Sequence, residues 1–153
     1  MEIFLQDIDA TLEFGRILGS VLKDGDVVCL TGDLGTGKTS LSKGICMELG
    51  VDESEVTSPT FAIMNVYDGT LMQIRHFDLY RINRAEELYD IGFDEYVGGD
   101  GITLIEWAEL FPDELPEEYL TVTITREQEG RRATLTAIGN RYLERIQEAC
   151  KKC

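Results

Sequence analysis

Apolar positions along the chain recur with two periods, and the switching between them predicts a protein of mixed helices and strands. Leu12, Ile17, Leu18, Val21 and Leu22 recur at helical spacing after Asp7 or Asp9, either of which can cap the first turn. That pattern stops at Lys23-Asp24-Gly25. The unbroken run Val27-Val28-Cys29-Leu30 predicts a buried strand, and Leu41, Ile45 and Leu49 predict a helix ending at Gly50. A polar connection from Asp52 to Ser58 leads to two alternating runs, Phe61 to Tyr67 and Leu71 to Leu79, joined at Asp68-Gly69, a dipeptide that favours a hairpin turn. Beyond them the pattern predicts a short helix over Ala85 to Ile91 and a buried strand over Ile102 to Ile105. A closing hairpin, Tyr119 to Thr125 with Arg131 to Ala137, turns around Glu127 to Gly130, and a final helix covers Tyr142 to Ala149. No repeat, low-complexity stretch or linker interrupts this order, so residues 1–153 are expected to form a single domain.

The connection after the first buried strand carries the most specific chemistry. Gly32 to Thr39 read G-D-L-G-T-G-K-T, a complete G-x-x-x-x-G-K-T phosphate loop placed between a strand and a helix, as that motif requires. Its glycines let the backbone wrap closely round phosphates, so that main-chain N–H groups and the positive end of the following helix face the anion. On this reading Gly32, Asp33, Leu34, Gly35, Thr36, Gly37, Lys38, Thr39 and Ser40 surround a nucleoside triphosphate. Lys38 reaches its β and γ phosphates, and the Thr39 hydroxyl is a ligand to magnesium. The fold class that follows is α/β: a three-layer arrangement like that of phosphate-loop NTPases, with a mixed, partly parallel sheet flanked by helices.

Charge narrows the set of partners. Fourteen basic and 29 acidic residues leave a net charge of −15, which argues against direct contact with nucleic acid and fits a soluble protein or one that attracts a basic protein partner. Asp113-Glu114 and Glu117-Glu118, set among prolines, read as a solvated loop. No apolar run is long enough to cross a bilayer and no signal segment is visible, so a cytoplasmic location and reduced thiols are expected. Cys29 and Cys46 fall at core positions. Cys150 and Cys153 form a C-x-x-C that reads as a frayed helix tail rather than as a zinc or redox site, since no second pair exists and His76 is the only histidine.

Two further acids compete for the magnesium. In His76-Phe77-Asp78-Leu79-Tyr80-Arg81 the period of two places His76, Asp78 and Tyr80 on one face of a strand end, where Asp78 can hold magnesium and Arg81 can balance phosphate charge. The plainer alternative is a polar strand end with a surface ion pair, and on these residues alone it is the preferred reading. Glu106 ends the buried strand beginning at Ile102, the usual setting for an acid that approaches magnesium or orients water. Trp107 is either a core residue or part of a base pocket or partner surface. Thr57-Ser58-Pro59-Thr60-Phe61 can sense a γ-phosphate as a switch segment does, or be a Ser-Pro turn entering a strand. Gly98-Gly99-Asp100-Gly101 lacks a Lys-Ser/Thr ending and reads as a turn.

Taken in order, G-D-L-G-T-G-K-T, T-S-P-T-F, H-F-D-L-Y-R and I-E-W closely resemble the TsaE (YjeE) family of small bacterial ATPases over nearly the whole chain. The resemblance implies ATP and Mg2+ as ligands, with catalytic roles for Lys38, Asp78 and Glu106. It implies a magnesium shell drawn from Thr39, Asp78 and Glu106, and contributions from Thr60 and, more weakly, Arg81. It also implies support of tRNA threonylcarbamoyladenosine modification together with the TsaD and TsaB proteins, with tRNA reached only indirectly and no membrane involved. Thr36 stands where such loops often have alanine, and Ala108 where proline often follows E-W. Two other classes share the loop: a small-molecule kinase, for which no arginine-rich lid segment is visible, and a nucleotide-gated binding module with little catalysis.

Overall fold

The computed structural model describes residues 1–33, 35–57, 59 and 62–153. Seven strands form one sheet: β1 (Glu2–Leu5), β2 (Val27–Thr31), β3 (Met64–Asp68), β4 (Gln73–Asp78), β5 (Ile102–Glu106), β6 (Tyr119–Glu127) and β7 (Gly130–Ile138). Their spatial order is β1-β7-β6-β2-β5-β4-β3. The four central strands, β6, β2, β5 and β4, run parallel, while β3, β7 and β1 add antiparallel pairs at the two edges. Among the described residues five α-helices accompany them: α1 (Ile8–Val21), α2 (Lys38–Glu48), α3 (Glu86–Asp90), α4 (Phe93–Tyr96) and α5 (Asn140–Lys152). This is the expected α/β class with a mixed, partly parallel sheet.

Each face of the sheet has its own core. Val28, Leu30, Ile74, Leu104, Leu120 and Val122 pack with Phe14 and Leu18 of α1, Leu41 and Ile45 of α2 and Tyr142 of α5. Val27, Cys29, Phe77 and Ile105 point the other way, onto Leu79, Ile82, Leu88 of α3 and Phe93 of α4. The central strands are therefore apolar on both faces, as parallel strands covered on both sides must be. Asp7 starts α1 by accepting a hydrogen bond from the Ala10 N–H at 2.8 Å. Against α1 lies α2, with no room for side chains where they cross: a Cβ on Gly15 would collide with the Leu41 carbonyl, and one on Gly44 with the Leu12 carbonyl. Glycine is unfavourable inside a helix, and here it permits backbone-to-backbone approach.

The end of the sheet opposite the phosphate loop is tied down by charge. Asp26, fully buried just before β2, accepts two hydrogen bonds from Arg145 of α5 at 2.7 and 3.2 Å and one from the Lys23 N–H, and pairs with Arg141 at 2.9 Å. Beside it the Tyr142 hydroxyl accepts the Val27 N–H at 2.9 Å. So α5 is anchored to the start of the strand that leads into the phosphate loop.

Several elements depart from the expectation for identifiable reasons. Strand β1 was not anticipated: it has four residues, only Leu5 of them buried, and is defined by pairing with β7 rather than by its own pattern. The hairpin β3–β4 does not turn at Asp68-Gly69. Asp68 pairs with Gln73 inside the ladder, and the connection is residues 69–72, pinned by the Thr70 and Leu71 N–H groups donating to the carbonyls of Gly50 and Leu49 at the end of α2. Gly92, at φ 76°, separates α3 from the unanticipated single turn α4. Strands β6 and β7 run further than their alternation showed, leaving only Gln128 and Glu129 in the turn. Helix α5 likewise continues through Cys150 to Lys152, with Cys153 just beyond it. No helix is long and apolar enough to cross a membrane, among the described residues.

Two outcomes follow. Replacing Arg145 by methionine should lower the unfolding free energy by about 3 kcal/mol in urea titration, the scale for removing one partner of a buried ion pair. Burial pushes the thiols of Cys29, which Glu109's charge also raises, and of Cys46 from 9.0 up to about 12. The unfolded chain releases these protons first, so stability should fall as pH rises from about 9 towards 12, and a neutral thiol reagent should modify only Cys150 and Cys153 in the native protein.

Candidate active site at the phosphate loop

The parallel core brings the chemically distinctive residues to one end of the sheet. Strand β2 ends at Thr31 and passes directly into the loop, and its neighbours on either side, β5 and β6, follow later in the chain. The loop therefore stands where strand order diverges to the two sides of the sheet, the usual crevice for ligands in open α/β sheets. Leu30 pairs with Glu106 and Asp78 pairs with Glu106, so both carboxylates lie at the carboxyl ends of their strands beside the loop. Glu106 is one strand from β2 and Asp78 two, a separation of about 5 Å per strand.

The loop has the geometry its sequence requires. Gly35 and Gly37 have φ of 78° and 110°, values at which L side chains are strained, and at Gly32 a Cβ would stand 2.6 Å from the Ile124 carbonyl oxygen. Gly37 opens α2 with no side-chain cap, which leaves the helix's first N–H groups for a ligand. Lys38 is 6% exposed; its Nζ donates to the Gly32 carbonyl at 2.6 Å and sits 4.5 Å from the centre of the Trp107 ring. The Thr36 hydroxyl donates to the Asp33 carbonyl at 2.8 Å. Thr39 and Ser40 are half-buried in the first turn of α2. Clefts of about 450 Å³, between the loop and Thr123 to Arg126, and about 250 Å³, lined by Lys38, Thr39, Ser40 and Arg131, flank the loop.

Burial corrects one expectation. His76 is 0% and Asp78 2% exposed, so the preferred reading of a polar strand end with a surface ion pair does not hold; β4 lies inside the sheet between β3 and β5, where strand ends are covered. Tyr80 follows the strand and is exposed, with its ring 5.0 Å from that of Trp107. The Tyr80 N–H donates to Asp78 Oδ1 at 3.0 Å. Trp107 is half-buried with φ 62°, an unusual backbone for a bulky residue, and this turn lays its ring beside Lys38. Arg81 is exposed in the turn beyond β4. Leu34 and Thr60, like Ser58 and Phe61, lie outside the described residues. Thr57 ends the segment before them and is tied to β3: its carbonyl accepts the Tyr67 hydroxyl at 2.9 Å, and its N–H donates to that oxygen at 3.2 Å.

Sequence reasoning missed three side chains here. His76 Nε2 lies 2.7 Å from Glu106 Oε2; the period of two put His76 on the face of Asp78, but only the β4–β5 register shows that Glu106 shares it. Arg126 and Arg131, paired across the β6–β7 hairpin, both donate to the Gly35 carbonyl, at 2.9 and 3.3 Å. They lie over 90 residues from the loop, and nothing local marks them.

A nucleoside triphosphate with magnesium fits this donor set. Close-approach glycines, an uncapped helix start and a buried lysine suit phosphates. Thr39, Asp78 and Glu106 supply the hydroxyl and carboxylate oxygens that magnesium accepts alongside phosphate. Among the described residues no group of three or more His, Cys, Asp and Glu is arranged to hold a metal by itself.

Comparison with known proteins agrees with this architecture. The family described as "Threonylcarbamoyl adenosine biosynthesis protein TsaE" matches residues 5–134. The chain belongs to the TsaE family. It is 41% identical over 135 residues to the tRNA threonylcarbamoyladenosine biosynthesis protein TsaE of Bacillus subtilis strain 168, covering 88% of this chain and 84% of that protein. The TsaE protein of Treponema pallidum strain Nichols is 41% identical over 127 residues, 83% of this chain and 93% of that one. The crystal structure of Bacillus subtilis YdiB superposes with a TM-score of 0.83 at 32% identity, over 99% of this chain and 95% of that chain.

The arginine clamp can be tested without ligand. Replacing both Arg126 and Arg131 by alanine should speed amide exchange at residues 35–37 several-fold in hydrogen–deuterium exchange, while the core strands stay protected.

Proposed function

We propose that the protein is an ATPase that binds and slowly hydrolyses ATP with Mg2+ to support the TsaD- and TsaB-dependent threonylcarbamoyl modification of adenosine in tRNA. Membership of the TsaE family supports the pathway. The observation that carries the ATPase reading is the buried Glu106, which pairs in register with Leu30 and so stands beside the strand that enters a complete phosphate loop.

The residues divide the work between holding charge and placing water. Gly35 and Gly37 present main-chain N–H groups, and Lys38 exchanges the Gly32 carbonyl for the β and γ phosphates. The ammonium thus leaves a neutral acceptor for an anionic one, a stronger hydrogen bond. Thr39, Asp78 and Glu106 are the residues that would hold magnesium, which when bound neutralises charge developing on the phosphates. A carboxylate of this group orients the water that attacks the γ-phosphate in line. Clefts open to solvent on both sides of the loop offer little to close over the triphosphate, which accounts for slow turnover alone and for completion of the site by a partner. The acidic surface favours a protein in that role and keeps tRNA indirect.

Phosphate release from ATP should be slow for the chain alone and rise when TsaB and TsaD are added. Replacing Lys38 by alanine should reduce it at least about a hundredfold without unfolding the protein. Nucleotide binding with no phosphate under either condition would make the protein a nucleotide-gated binding module instead.

A further inference from the structure

The mechanism gives no task to a buried polar side chain that touches one of its acids. His76, the sole histidine, is fully buried on the face of the sheet that carries Asp78 and Glu106. Its Nε2 meets Glu106 Oε2 at 2.7 Å, whereas its Nδ1 has no hydrogen-bond partner among the described residues. A proton on Nδ1 would be a buried donor with nothing to receive it, so the geometry puts a proton on Nε2, donated to the carboxylate. The ring is wedged rather than loose. Tyr67 packs against it at 6.3 Å between centres, and Tyr67 is itself held by two hydrogen bonds with the Thr57 backbone.

Glu106 is almost as buried, with 4% of its side chain exposed, and Oε1 accepts no hydrogen bond among the described residues. One oxygen is fixed and the other is left for chemistry. A carboxylate with both oxygens free rotates between positions, but one tethered by a rigid donor presents its remaining oxygen in a single direction. Strand pairing fixes the Glu106 backbone; the imidazole fixes its head group.

We propose that His76 is a positioning residue, which holds Glu106 Oε2 so that Oε1 is aimed at the magnesium and attacking water of the phosphate-loop site. The proposal rests on the ATPase reading for the role of Glu106, while the hydrogen bond itself does not. Glutamine carries its side-chain nitrogen at a similar reach and can donate to Oε2; leucine fills the space without a donor.

The test compares His76→Leu with His76→Gln in the full-length protein, with TsaB and TsaD present, and reads kcat, KM, Mg2+ affinity of the ATP complex by calorimetry, and circular dichroism. His76→Leu is expected to lower kcat or Mg2+ affinity about 10- to 100-fold, the usual effect of losing such a support, with KM for ATP within about twofold. His76→Gln should recover most of the loss. In 15N spectra the single histidine of the unliganded wild type should show the Nε2-protonated tautomer, with its signal shifted in Glu106→Gln. A folded His76→Leu variant with wild-type kcat and wild-type Mg2+ affinity overturns the proposal, as does an Nδ1-protonated ring. Loss of kcat that His76→Gln fails to recover, together with disturbed circular dichroism in both variants, assigns His76 a structural role and overturns it too. Should the wild type release no phosphate in any condition, the ATPase reading falls, and Mg2+ affinity with the tautomer still decides the role of His76.

Discussion

Parallel pairing of β2 with β5, and of β5 with β4, is the constraint on which the rest of the molecule depends. Parallel strands put all their carboxyl ends on one side, so a loop that must follow β2 and acids that must end β4 and β5 arrive together without any long-range design of the loop itself. A slip of one residue between β4 and β5 would send Asp78 and His76 to the opposite face, among Phe77's neighbours, and would leave Glu106 alone. The double-sided burial of these strands makes that slip costly, because each face has a different set of helices to satisfy.

That constraint explains which parts of the structure could be read from the sequence. The phosphate loop, β2, α1 and α2 were legible because their signals are local: a capping Asp7, an apolar run, and a glycine pattern with Lys38 and Thr39. The family resemblance was legible for the same reason, in blocks of contiguous residues. What could not be read is what pairing decides. Strand β1 exists because β7 offers it an edge; Asp68 belongs to a strand because the connection after it docks on the end of α2. His76 and Asp78 look like an ordinary polar strand end until β3 is seen to cover the edge of β4.

The same reasoning separates the residues at the site. Lys38 and Thr39 are specified by motif, Glu106 by the end of an apolar strand, but the contact of His76 with Glu106 and the grip of Arg126 and Arg131 on Gly35 span 30, 91 and 96 residues of chain. Such contacts carry no periodic signal. They nonetheless shape the site as much as the motif does, since a loop whose glycines impose left-handed backbone needs outside support to keep one conformation.

The glycine crossing of α1 and α2 carries a consequence for heredity. Because Gly15 and Gly44 let two backbones touch, α2 cannot shift along α1, and the helix that begins at Lys38 inherits its position from residues that contact no ligand. Any base change at the first or second position of either glycine codon removes the glycine, so inactivating alleles should accumulate at the helix crossing as well as in the loop, and the genetic footprint of the site extends a full layer beyond its chemistry.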